Sequence, residues 1–236
     1  MVEKKKFSFK NCMIGLGVIL FYFLAMVLAD VPLILLRPIG LDYNTMPEFL
    51  KNIYLFFYQV IMILIISKPF TDKLIDDFDD LLENHKTYFN KYFKLWFLLL
   101  FGVAISNSLI NLVNPGIAGN QEAINDTLQI SPFYMYFTAI LIAPILEELV
   151  FRQAVRYIFP SNILFIVMSG FLFGLLHVIG NCETILDLLY IIPYGIPGCI
   201  FAYILTKTDN IYTTMFMHFT HNSIMMSISI FAMIFF

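Results

Sequence analysis

Charge is the scarcest ingredient of this chain: Asp, Glu, Lys and Arg make up 13% of its 236 residues, about half of the roughly 25% found in an ordinary soluble domain. Beside that deficit stand 60% hydrophobic residues. A water-soluble globular fold is thereby excluded and an integral membrane protein indicated, with room for about six to eight spans of ~20 residues in one membrane domain, taken as residues 1–236. No basic patch is present, which argues against a nucleic-acid partner. The net charge of −3 is uninformative, because the placement of positive charge matters more than its sum in a membrane protein. Three cysteines, Cys12, Cys182 and Cys199, are odd in number and lack a CxxC pair, so neither a disulfide framework nor a zinc knuckle is indicated. There is no internal repeat and no low-complexity tract.

What is present is a series of apolar stretches. They predict an all-α polytopic protein with helices near 12–36, 53–67, 95–113, 133–158, 162–180, 185–206 and 211–236, seven in all. The basic start "MVEKKKFSFK" and the "VLAD" at 27–30 resemble a secretory signal, but the first apolar run is far longer than a signal core and reads as an uncleaved span. With the N-terminus cytoplasmic, twelve lysines and arginines fall inside and only Arg37 and Lys51 outside, which predicts N-in, C-out. Between the second and third spans, Phe70, Leu74, Phe78, Leu81 and Leu82 form one stripe against a charged remainder, as in an amphipathic helix on the cytoplasmic surface. A lysine-free segment, "NPGIAGNQEAINDTLQISP", reads as an outer loop with a short interfacial helix around 120–129.

Ionisable groups inside a span cost roughly 2.5–3.5 kcal/mol each, so those that persist are functional candidates. In "PILEELVFRQAV", Glu148 and Arg152 stand at i and i+4 and can neutralise each other. Glu147 is rotated by about 100° from Glu148, free to face another neighbour. A snorkelling cluster near the helix end is the plain alternative. In "SGFLFGLLHVIG", His177 follows Phe173 by one turn, and Gly170 and Gly174 permit another helix to approach, whether within the chain or across a dimer. In "YTTMFMHFTHNSIMM", His218 and Asn222 share one face; His221 is the competing choice, its i+4 partner being the apolar Met225. Counted from the inner helix ends, Glu147 lies ~16 Å deep, His177 ~22 Å and His218 ~12 Å, so ordinary tilts bring them to one layer.

"EELVFR", "FGLLH" and "HFTHN" fit EExxxR, FxxxH and Hxxx[ND], and in that order on three of the membrane helices the region 132–226 resembles the CAAX-protease and bacteriocin-processing family of intramembrane endopeptidases. The resemblance implies a membrane protease with Glu147, His177, His218 and Asn222 as its catalytic residues and Glu148, Arg152 and Phe173 in support. It implies a metalloprotease with Glu147, His177 and His218 as ligands of a divalent metal such as zinc; no HExxH is present, and a metal-free glutamate mechanism is the other option. "NQEAI" is similar to small members from Gram-positive bacteria, which places the protein in a bacterial plasma membrane. The expected partner is a peptide or membrane-protein substrate within the lipid bilayer, in maturation of a bacteriocin or signalling peptide or in self-immunity. Two other classes stay open: a non-proteolytic regulator or scaffold acting on a sensor kinase or peptide system, and a transporter or proton relay. The lack of an inverted repeat counts against the transporter.

Overall fold

Proline decides where the first span ends. In the computed structural model, which describes residues 7–35, 37–40, 42–43 and 45–235, α1 runs over Phe9–Val27 and stops well short of residue 36. A turn follows, and Pro32 opens a short separate helix, Val31–Ile34, because a proline inside a helix removes a backbone donor while one in the first turn costs nothing. Leu36, and the inner charges Lys4, Lys5 and Lys6 of the orientation argument, lie outside the described residues.

The remaining long helices are α2 (Glu48–Ser67), α3 (Thr71–Tyr92), α4 (Lys94–Asn111), α5 (Gly119–Ile130), α6 (Pro132–Ile158), α7 (Asn162–Ile179), α8 (Ile191–Thr208) and α9 (Ile211–Phe235). No strand occurs among the described residues, and the protein is an all-α, polytopic membrane protein. Seven spans were expected; six helices among the described residues are long and apolar enough to cross a membrane. The seventh, α9, has the length at 25 residues, but its run of Thr213, Thr214, His218, Thr220, His221, Asn222 and Ser223 dilutes its hydropathy.

Burial sorts the helices into layers. Half of the apolar window ending in α8 and 44% of that of α6 are buried, against 22% for α1 and 11% for the helix containing α2. The first two form the centre and the others a ring whose outward Phe57, Leu64, Phe97 and Phe101 suit a lipid environment. Two glycine contacts set the spacing. Gly170 and Gly174 face α8, where a methyl group on Gly170 would lie 2.9 Å from the Gly195 carbonyl and one on Gly174 3.0 Å from the Gly195 nitrogen, so the small-residue face is used within the chain. Likewise, a methyl on Gly15 of α1 would lie 2.5 Å from the Ala154 carbonyl of α6.

The amphipathic helix forms as α3, with one correction to its faces. Phe70 is buried and Leu74 and Leu81 are half-buried, but Phe78 and Leu82 point outward with Ile75. The inward positions are polar. Asp77 accepts the Ile211 N–H at 3.0 Å, and Asn210 donates to the Asp77 carbonyl at 2.6 Å and to Asp80 at 2.7 Å. Lys73 pairs with Asp77 at 2.5 Å and donates to the Asp209 carbonyl at 2.6 Å. These bonds satisfy the otherwise bare N-terminus of α9, and tertiary hydrogen bonding overrides the hydrophobic stripe. At the same end, Arg156 donates to the Pro160 carbonyl at 3.1 Å and to Asn162 at 2.7 Å, closing the turn between α6 and α7.

Candidate active site

Helix α6 is not regular. It widens into π-helical turns at Thr138–Ile142 and Leu149–Ala154, with an α-helical stretch, Ala143–Glu148, between them. Pro144 accounts for the first. The Ala143 N–H reaches back five residues to the Thr138 carbonyl, and the next residue, Pro144, has no N–H, so the Ala139 carbonyl is left without a helical donor. Asn222 of α9 supplies one, donating from Nδ2 at 2.8 Å. In the second π turn the Phe151 carbonyl receives the Ser169 hydroxyl of α7 at 2.5 Å. Inside a membrane such freed carbonyls need partners within the protein, and both side chains bind α6 to its neighbours around the two glutamates.

Between those turns the carboxylates part company. Glu148 and Arg152 are fully buried and form an ion pair, Oε1 to Nη2, at 3.0 Å. The guanidinium also lies over Phe173, 4.6 Å from the ring centre, and over Phe201 at 5.6 Å. Glu147 is part-exposed to the interior space, 13% by side-chain area. His218 stands between the two: Nδ1 is 2.9 Å from Glu148 Oε1, and Nε2 is 3.6 Å from Glu147 Oε2. Since an ionised carboxylate only accepts, Nδ1 carries the proton of that bond. A proton on either Nε2 or Oε2 makes the second contact attractive.

His177 is held separately. Its Nδ1 donates to the Phe173 carbonyl at 2.8 Å, which leaves Nε2 without a proton in the neutral ring, and the ring stacks on Tyr194 of α8 at 5.0 Å. Phe173 touches three of these groups, with its ring 4.5 Å from His177, 5.7 Å from His218 and 4.6 Å from the Arg152 guanidinium. His221 accepts the Trp96 indole N–H at 3.3 Å through Nδ1.

Glu147, His177, His218 and Asn222 all line one cavity of about 910 Å³, together with His221. The cavity continues past Thr138 and Tyr194 to Asn120, Gln121 and Gly116, and so reaches the face of the protein that carries α5. The sequence reading had not singled out Tyr194, which orients His177, or Gln59 and Tyr134 on the cavity wall. Pro144 was the available signal for the π turn.

The donor types suit a divalent cation. Both imidazoles have Nδ1 occupied by an acceptor and Nε2 available, the arrangement common among metal-binding histidines. The 3.6 Å between His218 Nε2 and Glu147 Oε2 is close to the ~3.3 Å separating two ligands of a tetrahedral zinc. A third ligand is not drawn in: among the described residues no three His, Cys, Asp or Glu side chains are grouped to hold a metal ion.

Residues 129–224 match the family model described as type II CAAX prenyl endopeptidase Rce1-like. The segment bearing the three motifs is therefore similar to that family, in agreement with the resemblance read from them. The chain is similar to "Putative membrane peptidase YdiL" of Bacillus subtilis (strain 168), with 28% identity over 137 residues, or 51% of this chain and 52% of that protein. It is also similar to an "Uncharacterized protein" of Mycoplasma capricolum subsp. capricolum, with 29% identity over 143 residues, or 51% of this chain and 41% of that protein. The matched region thus spans about half the length of these curated relatives, or less. No solved structure matches.

Proposed function

We propose that this Rce1-like membrane protein is an intramembrane endopeptidase whose reaction centre is Glu147 with His177, His218 and Asn222. The observation that carries the reading is that side chains from three different helices line one cavity, while a second glutamate, Glu148, is taken out of play by Arg152. Glu147 acts as general base on a water, and the unprotonated Nε2 of His177 holds that water from a second side. The new C–O bond forms as the scissile carbonyl becomes an oxyanion. Asn222 has two amide protons, and only one is committed to Ala139; the other, with His218, donates to the oxyanion. One such donor contributes about 2.7–4 kcal/mol to the transition state. The oxyanion then collapses to a carbonyl and the C–N bond breaks, its electron pair leaving with the nitrogen as Glu147 passes its proton to that amine. A divalent cation held by Glu147 and His218 Nε2 would replace the His218 proton in that role, polarising the water or carbonyl as a Lewis acid.

The extension of the cavity to the α5 face gives water a route into the membrane layer. Under the N-in orientation favoured by the charge asymmetry, that face is outside the cell. The substrate is a peptide or membrane-bound protein segment, consistent with maturation of a secreted peptide or with self-immunity. The test is reconstitution in liposomes with mass-spectrometric detection of cleaved peptides. Glu147→Ala and His177→Ala are expected to abolish turnover while still inserting and folding. Turnover retained in either variant removes the assignment, and a biological effect that survives both would favour a regulator or scaffold acting on a sensor kinase or peptide system.

A further inference from the structure

Three histidines line the cavity, and they do not offer it the same atom. In His177 and His218 a proton sits on Nδ1, bonded to the Phe173 carbonyl and to Glu148 respectively. His221 is the reverse. An indole N–H can only donate, so the His221 Nδ1 that meets Trp96 at 3.3 Å is unprotonated, and the neutral ring carries its proton on Nε2. Trp96 is itself buried and stacks on Phe93 at 5.8 Å, which holds in place the group that sets the tautomer. The closed-off side-chain atoms without a partner among the described residues belong to Gln59, Glu148 and Arg152. His221 Nε2 has no hydrogen-bond partner there and is not one of them, so it opens onto the space that His221 lines.

From this we infer that His221 is a substrate-binding residue, its Nε2–H donating to a backbone carbonyl of the bound peptide two residues from the scissile bond. The spacing carries the assignment. His218 and His221 stand at i and i+3 on α9, which sets their Cβ atoms about 5–6 Å apart. In an extended chain the carbonyls that point to one side recur at every second residue, about 6.5–7 Å apart. A peptide whose scissile carbonyl rests on His218 and Asn222 therefore brings its next same-side carbonyl to His221. A lone pair at that place would repel the oxygen, and the Trp96 bond prevents it. The contact is to backbone, so it sets the register of the chain without selecting a side chain. The inference rests on the endopeptidase reading and adds a point of contact to that same site.

In the experiment, a library of acetylated and amidated octapeptides is presented to the full-length Glu147→Gln protein in nanodiscs. The peptide retained most strongly is remade with each amide in turn replaced by an (E)-alkene, which keeps the shape and removes the hydrogen-bonding groups. One replacement is expected to raise Kd about fivefold through the lost His221 bond, and the native protein is expected to cut the parent peptide two residues away from it. With His221→Phe added, the parent should weaken by the same factor and that one replacement should cost nothing further, while the others keep their effects. His221→Gln, whose amide nitrogen reaches the place of Nε2, should restore binding of the parent to within about twofold. A merely structural histidine would not produce a loss tied to one carbonyl. Nitrogen NMR of ring-labelled histidine in the same nanodiscs should show an Nε2-protonated ring that vanishes in His221→Phe. No retained peptide, a replacement profile unchanged by His221→Phe, cleavage at another distance, or a His221 ring protonated on Nδ1 overturns the inference. A profile that holds while cleavage proves independent of Glu147 would instead sink the endopeptidase reading and leave the His221 contact standing.

Discussion

Removing Arg152 should damage the protein more than removing Arg152 and its partner charge together. The Glu148–Arg152 pair is fully buried at 3.0 Å, and the same Glu148 oxygen holds His218 at 2.9 Å. In Arg152→Met the hydrophobic volume is largely kept, but the carboxylate is left in the interior without its guanidinium. Breaking a buried pair in this way costs roughly 3–5 kcal/mol, whereas replacing both charges by neutral groups is often nearly neutral. The double variant Glu148→Gln/Arg152→Met should therefore recover about 2–3 kcal/mol of the loss. Unfolding in mixed micelles can be followed by the emission of Trp96, the one tryptophan of the chain. Its indole is bonded to His221 at the site, so the signal reports the region in question. The reasoning is refuted if Arg152→Met lies within about 1 kcal/mol of the native protein, or if the double variant is no more stable than the single.

Other expectations follow from single contacts. Gly15→Ala should destabilise the protein by about 1–3 kcal/mol by overpacking against Ala154, while Gly17→Ala, with nothing within 4 Å of the new methyl, should be neutral or slightly stabilising in the same unfolding assay. A tolerated Gly15→Ala would mean that α1 does not sit on α6 as described. Asn210→Ala removes the bonds to Asp77 and Asp80 and the cap on Thr213; it should cost about 1–3 kcal/mol and speed amide exchange at residues 211–214. Unchanged exchange there would remove the α3 tie from the account. Zinc found in purified protein by mass spectrometry should vanish in both Glu147→Ala and His218→Ala and persist in His221→Ala; stoichiometric zinc in Glu147→Ala would exclude that glutamate as a ligand.

How far the sequence reaches depends on the kind of interaction. The all-helical membrane architecture follows from long apolar runs, and the internal packing of Gly170 and Gly174 was one of two readings their spacing allowed. The Glu148–Arg152 pair was readable because i,i+4 geometry is local. The partner of Glu147 was not: pairing across 71 residues depends on how α6 and α9 rotate, and the structure puts His218 against both glutamates, with His177 held apart on Phe173 and Tyr194. The π turns escaped notice because periodicity assumes one helical pitch, although Pro144 within a span pointed to a local departure. On α3, hydrophobicity alone missed that Asp77 and Asp80 turn inward to bond the start of α9. His221 was ranked below His218 for its apolar i+4 neighbour, yet it too lines the cavity, through a contact with Trp96 that no local pattern announces.

On this mechanism a water-filled space inside the membrane layer reaches Glu147. With Cys12, Cys182 and Cys199 replaced, single cysteines at two positions of α6 test it directly: Ala143, which lines the cavity, and Leu141, which faces outward at 41% exposure. A thiol ionises, and reacts with a charged, water-soluble thiosulfonate, only where water is present. Rapid labelling of Ala143→Cys from the α5 side, with Leu141→Cys inert, is the predicted result; an unreactive Ala143→Cys, or equal reaction at both positions, would contradict it.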